Sequence, residues 1–135
     1  MSEVIKSLIT GSEVARPFVP AKDFGLSKRF YLQVGFDLLL DSEVAIFGIG
    51  QTSFILQNYF NKSWAENFMM QLMVDDVDAW WAHLNALNLP NTFPGVSLRL
   101  PEVQPWGLRI SYLVDPSGVL WHVAQRRPGA SHDQP

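Results

Sequence analysis

Apolar residues recur along the chain in two rhythms, one of period two and one of helical period, and the whole sequence of rhythms comes round twice. Residues 15–21 form a short apolar run interrupted by Pro17 and Pro20, which suits an edge strand, where a missing N–H breaks no ladder. Asp23 then stands where a helix N-cap is needed, and Leu26, Phe30 and Val34 follow at helical spacing. Gly35 ends that helix as a left-handed cap. Strands are predicted over residues 36–40, 44–49 and 52–59, with Asp41-Ser42 and Gly48/Gly50 as turn signals.

After a polar connector over residues 61–66 the order restarts. Residues 68–74 read as a strand, Asp76 as the next cap, and Val77, Trp80, Leu84 and Leu87 as the next helical stripe. Asn88 takes the place of Gly35, and Asn tolerates the left-handed conformation better than other residues with a side chain. Strands over 96–100, 108–114 and 119–125 follow, the last two joined by Asp115-Pro116-Ser117-Gly118, whose Pro and Gly suit a tight turn. An offset of 53 positions lays Ala21-Lys22-Asp23-Phe24 on Val74-Asp75-Asp76-Val77, so caps, stripes and helix ends coincide. The reading is an α+β chain of two βαβββ modules, 14–60 and 67–126, in one domain spanning 1–135, with a flexible tail over 127–135.

Composition narrows the function. At 135 residues with 47% hydrophobic and 17% charged residues, the chain is long enough for a packed core and too apolar for a disordered one. A formal net charge of -3 with scattered Lys and Arg argues against nucleic acid. Without cysteine there is no disulfide, thiolate metal site or cysteine nucleophile. No stretch reaches the roughly 20 apolar residues of a membrane helix, and no signal-peptide run opens the chain, so a cytoplasmic location is expected. Phosphate-binding glycine loops, nucleophile elbows and His-Glu-x-x-His are missing.

Three stretches carry a family resemblance over roughly residues 14–125. Phe18-Val19-Pro20-Ala21-Lys22-Asp23-Phe24 with Ser27-Lys28-Arg29-Phe30-Tyr31 and Gly35-Phe36 resembles the opening of the vicinal oxygen chelate (glyoxalase/bleomycin resistance/extradiol dioxygenase) proteins. Val74-Asp75-Asp76-Val77-Asp78-Ala79 resembles the start of their second module. Pro105-Trp106-Gly107-Leu108-Arg109 and Leu113-Val114-Asp115-Pro116-Ser117-Gly118-Val119-Leu120-Trp121 resemble their closing hairpin. The resemblance implies that both modules contribute to a curled mixed sheet around a cavity. It implies a divalent metal held by His and Glu from four strands in the enzymes, and homodimers with pockets at or near the interface.

Carried onto this chain, the four metal-ligand positions read Arg16, Phe54, Met69 and His122. A guanidinium has no lone pair to give and stays charged, phenylalanine cannot coordinate, and a thioether suits none of Mg, Mn, Fe(II) or Zn. A slip of one residue puts Ser53 or Ile55 in place of Phe54 and rescues nothing. No metal and no cofactor are therefore expected.

Strand parity then gives an expected ligand-binding lining of Arg16, Phe18, Phe54, Leu56, Met69, Gln71, Arg109, Ser111 and His122, the pair Arg109/Ser111 depending on Val114 facing Val119 across the turn. Trp106 is expected near the mouth. Such an apolar, partly aromatic pocket fits a small organic molecule, planar and carbonyl-bearing or anionic, bound without chemistry. A strongly cationic drug such as bleomycin fits less well, since no acidic residue falls in that lining. The alternatives are an enzyme using His122 as a general base and a partner-binding module with a vestigial cavity. A ligand contact and a structural ion pair are equal readings of Arg16, and a hydrogen-bonded wall residue is the plainer reading of His122. His83 is expected at the surface.

Overall fold

The computed structural model describes residues 2–127, so the tail expected over 127–135 lies, but for Arg127, outside the described residues. A short helix α1 (Glu3–Leu8) is capped by Ser2, whose side chain accepts from the Ile5 N–H, and none of its residues is buried. The first module follows: β1 (Phe18–Pro20), α2 (Phe24–Val34), β2 (Asp37–Asp41), β3 (Val44–Ile49) and β4 (Thr52–Gln57). A one-turn α3 (Lys62–Glu66) fills the connector. The second module comprises β5 (Met69–Val74), α4 (Val77–Ala86), a short α5 (Leu89–Thr92), β6 (Ser97–Leu98), β7 (Glu102–Val103), β8 (Arg109–Val114) and β9 (Leu120–Gln125).

Caps decide where the two long helices begin. Asp23 accepts from the Leu26 N–H at 3.1 Å and Asp76 from the Ala79 N–H at 3.0 Å, each satisfying a donor the helix leaves open. Their ends are as the sequence predicts: Gly35 at φ 123° and Asn88 at φ 56°. On α2 the buried residues are Ser27, Phe30, Tyr31 and Val34, the i, i+3, i+4, i+7 stripe of a helix lying on a core.

The strands form two sheets, ordered β1-β4-β3-β2 and β5-β9-β8-β6, with β7 also paired to β8. In each, the module's first strand lies at an edge and pairs parallel with its last, as β1 does with β4 and β5 with β9. Pro17 and Pro20 fall on or beside β1, where an edge tolerates them. Each sheet has one face against a single shared core. Phe47, Phe54 and Leu56 of the first sheet and Trp121 and Val123 of the second are all 2% exposed or less and belong to one cluster. The rings of Phe54 and Trp121 are 5.5 Å apart, with Tyr31 of α2 touching both, at 4.9 and 5.9 Å. These inner faces look toward each other, so the outer faces of the two sheets look away from each other.

Polar contacts tie the modules together inside that core. The Tyr31 hydroxyl donates to Asp115 Oδ2 at 2.6 Å and accepts from Trp121 Nε1 at 3.0 Å. Asp115 Oδ1 accepts from the Ser117 and Val119 N–H groups at 2.8 and 2.9 Å. Burial pushes the Asp115 carboxyl above its ordinary range, while its hydrogen bonds pull the other way. His83 of α4 donates from Nε2 to the Val34 carbonyl at 2.9 Å, closing the C-terminus of α2. His83 is exposed, as expected, and through this bond it also joins the two helices. No helix among the described residues is long and apolar enough to cross a membrane.

Candidate functional site

The outer face of the first sheet is set by the pairing of β1 with β4. Phe18 lies beside Ile55 and Pro20 beside Gln57, while Val19 and Leu56 turn to the core. Across the hairpin, Ile46 opposes Ile55 and Gly48 opposes Ser53. Phe18 is 48% exposed, an unusual state for a phenylalanine in a strand. Arg16, just before β1, reaches the same face and donates from Nε to Ser53 Oγ at 2.9 Å. Its predicted structural partner was a carboxylate; the structure gives a hydroxyl and leaves the guanidinium exposed.

On the second sheet the outer face holds Met69, Gln71 and Met73 of β5, opposite Leu120, His122 and Ala124 of β9. From β8 come Ile110, Tyr112 and Val114, opposite Ala124, His122 and Leu120. The rings of Tyr112 and His122 meet edge to face, centroids 4.8 Å apart. Leu108, Ile110 and Ala124 pack into a small second cluster here, with Met73 and Tyr112 against it. Partial burial pulls the His122 imidazole below its ordinary range, favouring the neutral form. Its Nε2 is covered and has no hydrogen-bond partner among the described residues. An open depression of about 920 Å³ runs beside the free edge of β5, drawing on Gln71 and Met73 and on Gln51 and Thr52 of the β3–β4 turn.

Four of the expected lining residues are elsewhere. Phe54 and Leu56 are fully buried on the inner face, Phe54 among Tyr31, Phe36, Phe47 and Trp121. Ser53 and Ile55 take the outer positions instead, the one-residue slip already allowed for. Ser111 and Arg109 also face inward. The closing hairpin pairs Val114 with Leu120 rather than with Val119, and a shift of one residue turns every side chain of β8 over. Ser111 donates to the Arg99 carbonyl at 2.6 Å. Arg109 grips Asp78 of α4 through Nε and Nη2, at 3.1 and 2.8 Å, and holds that carboxyl below its ordinary range. Trp106 sits in the loop between β7 and β8, 53% exposed, its carbonyl accepting from Arg127 Nη2 at 3.1 Å.

The same register brings in residues the sequence reading missed. Tyr112 is one. Glu102 is another: paired with Ile110, its side chain leaves the sheet on the face of Tyr112 and His122. On the first sheet Asp37 pairs with Gly48 and so shares the face of Ser53. Each outer face therefore carries an acid that the lining expected from the sequence did not include.

The fold family's metal does not fit this chain. The outer-face groups at the corresponding positions are the Arg16 guanidinium, Ser53 or Ile55, the Met69 thioether and the His122 imidazole, so those on or beside β1 and β4 include no carboxylate or imidazole. Moreover, Arg16 and Ser53 belong to the outer face of the first sheet, and Met69 and His122 to that of the second. Among the described residues no three His, Cys, Asp or Glu gather as a metal site would need.

No family model matches the chain. It is 27% identical over 122 residues to a bleomycin resistance protein of Klebsiella pneumoniae, a match covering 84% of this chain and 93% of that one. Among solved structures it is similar to a bleomycin-binding protein complexed with bleomycin, with TM-score 0.73 and 26% identity, covering 86% of this chain and all of the other. It is also similar to TnmS3, an antibiotic binding protein from Streptomyces sp. CB03234, with TM-score 0.68 and 27% identity over 88% of this chain and all of that one. The chain is a homologue of a bleomycin resistance protein and has the α+β fold of the bleomycin-binding and antibiotic-binding structures it resembles.

Proposed function

We propose that this protein binds a small organic molecule of the antibiotic type, without a metal of its own, in a crevice completed by a second copy of the chain. The observation that carries this reading is the pair of apolar, partly aromatic outer faces, Phe18 with Ile55 and Tyr112 with Met69, held on opposite sides of one rigid core. A single chain has no way to lay one face against the other. In a two-fold homodimer, the first-sheet face of one protomer opposes the second-sheet face of its partner, and two equivalent crevices result.

The chemistry of the faces supports the ligand class. Phe18 and Tyr112 offer flat apolar contact to a planar group, and Arg16, Gln71 and His122 offer polar anchors. Trp106, exposed at the end of the second sheet, adds an aromatic at the rim. Asp37 and Glu102 suit a cationic arm, which fits the relatives whose names state that they bind bleomycin. Among the described residues no carboxylate meets His122 Nε2 to orient it as a general base, which supports binding rather than catalysis. A cytoplasmic location completes it.

The test is a titration with metal-free bleomycin followed by calorimetry, on the parent protein, Phe18→Ala and Tyr112→Ala. Saturable binding by the parent, weakened about tenfold or more by either truncation, is expected for the loss of an aromatic contact. No binding by the parent, or binding indifferent to both changes, rules the site out.

A further inference from the structure

We propose that Met69 is an oxidation-sensitive residue of this binding face, and that its conversion to methionine sulfoxide by hydrogen peroxide or an organic hydroperoxide weakens the ligand site. This rests on the functional reading above and adds a mode of control to it.

Three methionines lie on β5 and differ sharply in accessibility. Met69 is 63% exposed. Met70 is half-buried against the shared core, and Met73 is packed on the cluster of Leu108, Ile110 and Ala124. Thioether oxidation needs an approach to a sulfur lone pair, so exposure selects Met69 first. Edge position helps, because β5 pairs with β9 on one side and, among the described residues, no strand pairs with its other edge.

Placement makes the event consequential. Met69 is opposite Leu120 and one diagonal step from His122, on the strip that Tyr112 completes. An unmodified thioether is a soft apolar wall that adapts to a bound ring. In the reaction a sulfur lone pair attacks one peroxide oxygen: the S–O bond forms, the O–O bond breaks, and the departing hydroxide or alkoxide takes a proton. Sulfur loses two electrons and the peroxide gains them. The product is a larger, strong hydrogen-bond acceptor where a soft apolar wall stood. An apolar ring laid on it must displace water from that oxygen, which is costly, and any donation to it from Gln71 or His122 withdraws that anchor from the ligand. Affinity is expected to fall about tenfold.

The experiment treats the full-length protein with graded hydrogen peroxide. It maps oxygen uptake by peptide mass spectrometry and titrates each sample with metal-free bleomycin. The expected result is that the Met69 peptide gains one oxygen before the Met70 and Met73 positions do. Affinity should fall in proportion, Met69→Leu should lose no affinity on treatment relative to its own untreated sample, and Met73→Leu should keep the sensitivity. Oxidation of Met70 or Met73 ahead of Met69, or unaltered affinity in protein fully oxidised at Met69, overturns the proposal. Failure of the untreated parent to bind bleomycin instead refutes the functional reading, and the two failures are told apart by that untreated control.

Discussion

Replacing Tyr31 by phenylalanine removes one oxygen and leaves the ring in place, so its cost isolates the polar link between the modules. That oxygen is fully buried, donating to Asp115 at 2.6 Å and accepting from the Trp121 indole at 3.0 Å. Without it, a buried carboxylate loses its side-chain donor and a buried indole N–H loses its acceptor. Each orphaned group costs about 1–3 kcal/mol, so the variant should lose roughly 2–5 kcal/mol. For a chain of this length that corresponds to a Tm lower by about 8–20 °C. The measurement is thermal unfolding by circular dichroism, with urea unfolding as a check. The loss should also depend on pH. Asp115 has its folded pKa raised by burial, so its contribution to stability is fully present below the unfolded value and is lost as pH rises through the folded one. Tyr31→Phe takes away a donor that opposes this rise. The variant's deficit should therefore be largest near neutrality and shrink in acid, where the carboxyl is protonated. A Tm within about 2 °C of the parent at pH 7 would refute the reasoning, since two buried groups cannot both go unpaired at so little cost.

Other expectations follow from placement. Phe54→Ala should cost about 3–5 kcal/mol in urea unfolding, because it empties the centre of an aromatic cluster; weakened ligand binding at unchanged stability would return Phe54 to the lining. Arg109→Ala should leave bleomycin affinity unaltered in calorimetry, since Arg109 is committed to Asp78 on the inner side; a marked loss of affinity would place it in the crevice. His122 has a depressed folded pKa, so its contribution to stability should be present above the ordinary histidine value and be lost as pH falls through the folded one. Thermal unfolding of His122→Gln across pH 5–8 should lack that portion of the slope, and an identical slope would argue against the covered position of the ring.

Helices, caps and module order were legible because each rests on local chemistry: Asp23 and Asp76 as caps, Gly35 and Asn88 as left-handed ends. Strand existence was legible too, and facing was not. For β4 the relevant signal lay in the strand itself. Ser53 and Gln57 alternate with Phe54 and Leu56, which marks the latter pair as core, whereas matching to a ligand position pointed them outward. For β8 the hairpin differs by one residue from the pairing expected. Asp115 bonds back to Val119, so the loop proper is Pro116–Gly118, with Gly118 at φ 98°. A three-residue loop ending in a left-handed glycine is a common hairpin form, and choosing it would have put Tyr112 beside His122. Glu102 lies on a two-residue strand too short to show periodicity. That the two faces look apart depends on how the modules pack, a long-range matter that no local pattern carries.

The most direct measurement of a crevice shared between two chains is complementation by mixing. Phe18→Ala and Tyr112→Ala damage opposite faces, so a mixed dimer has one crevice with both changes and one with neither. After subunit exchange in an equimolar mixture, metal-free bleomycin should find about a quarter of the parent's high-affinity sites, although neither variant alone provides them. Recovery of none after verified exchange would mean that each chain binds its ligand by itself, and the assignment of the site to two protomers would be wrong.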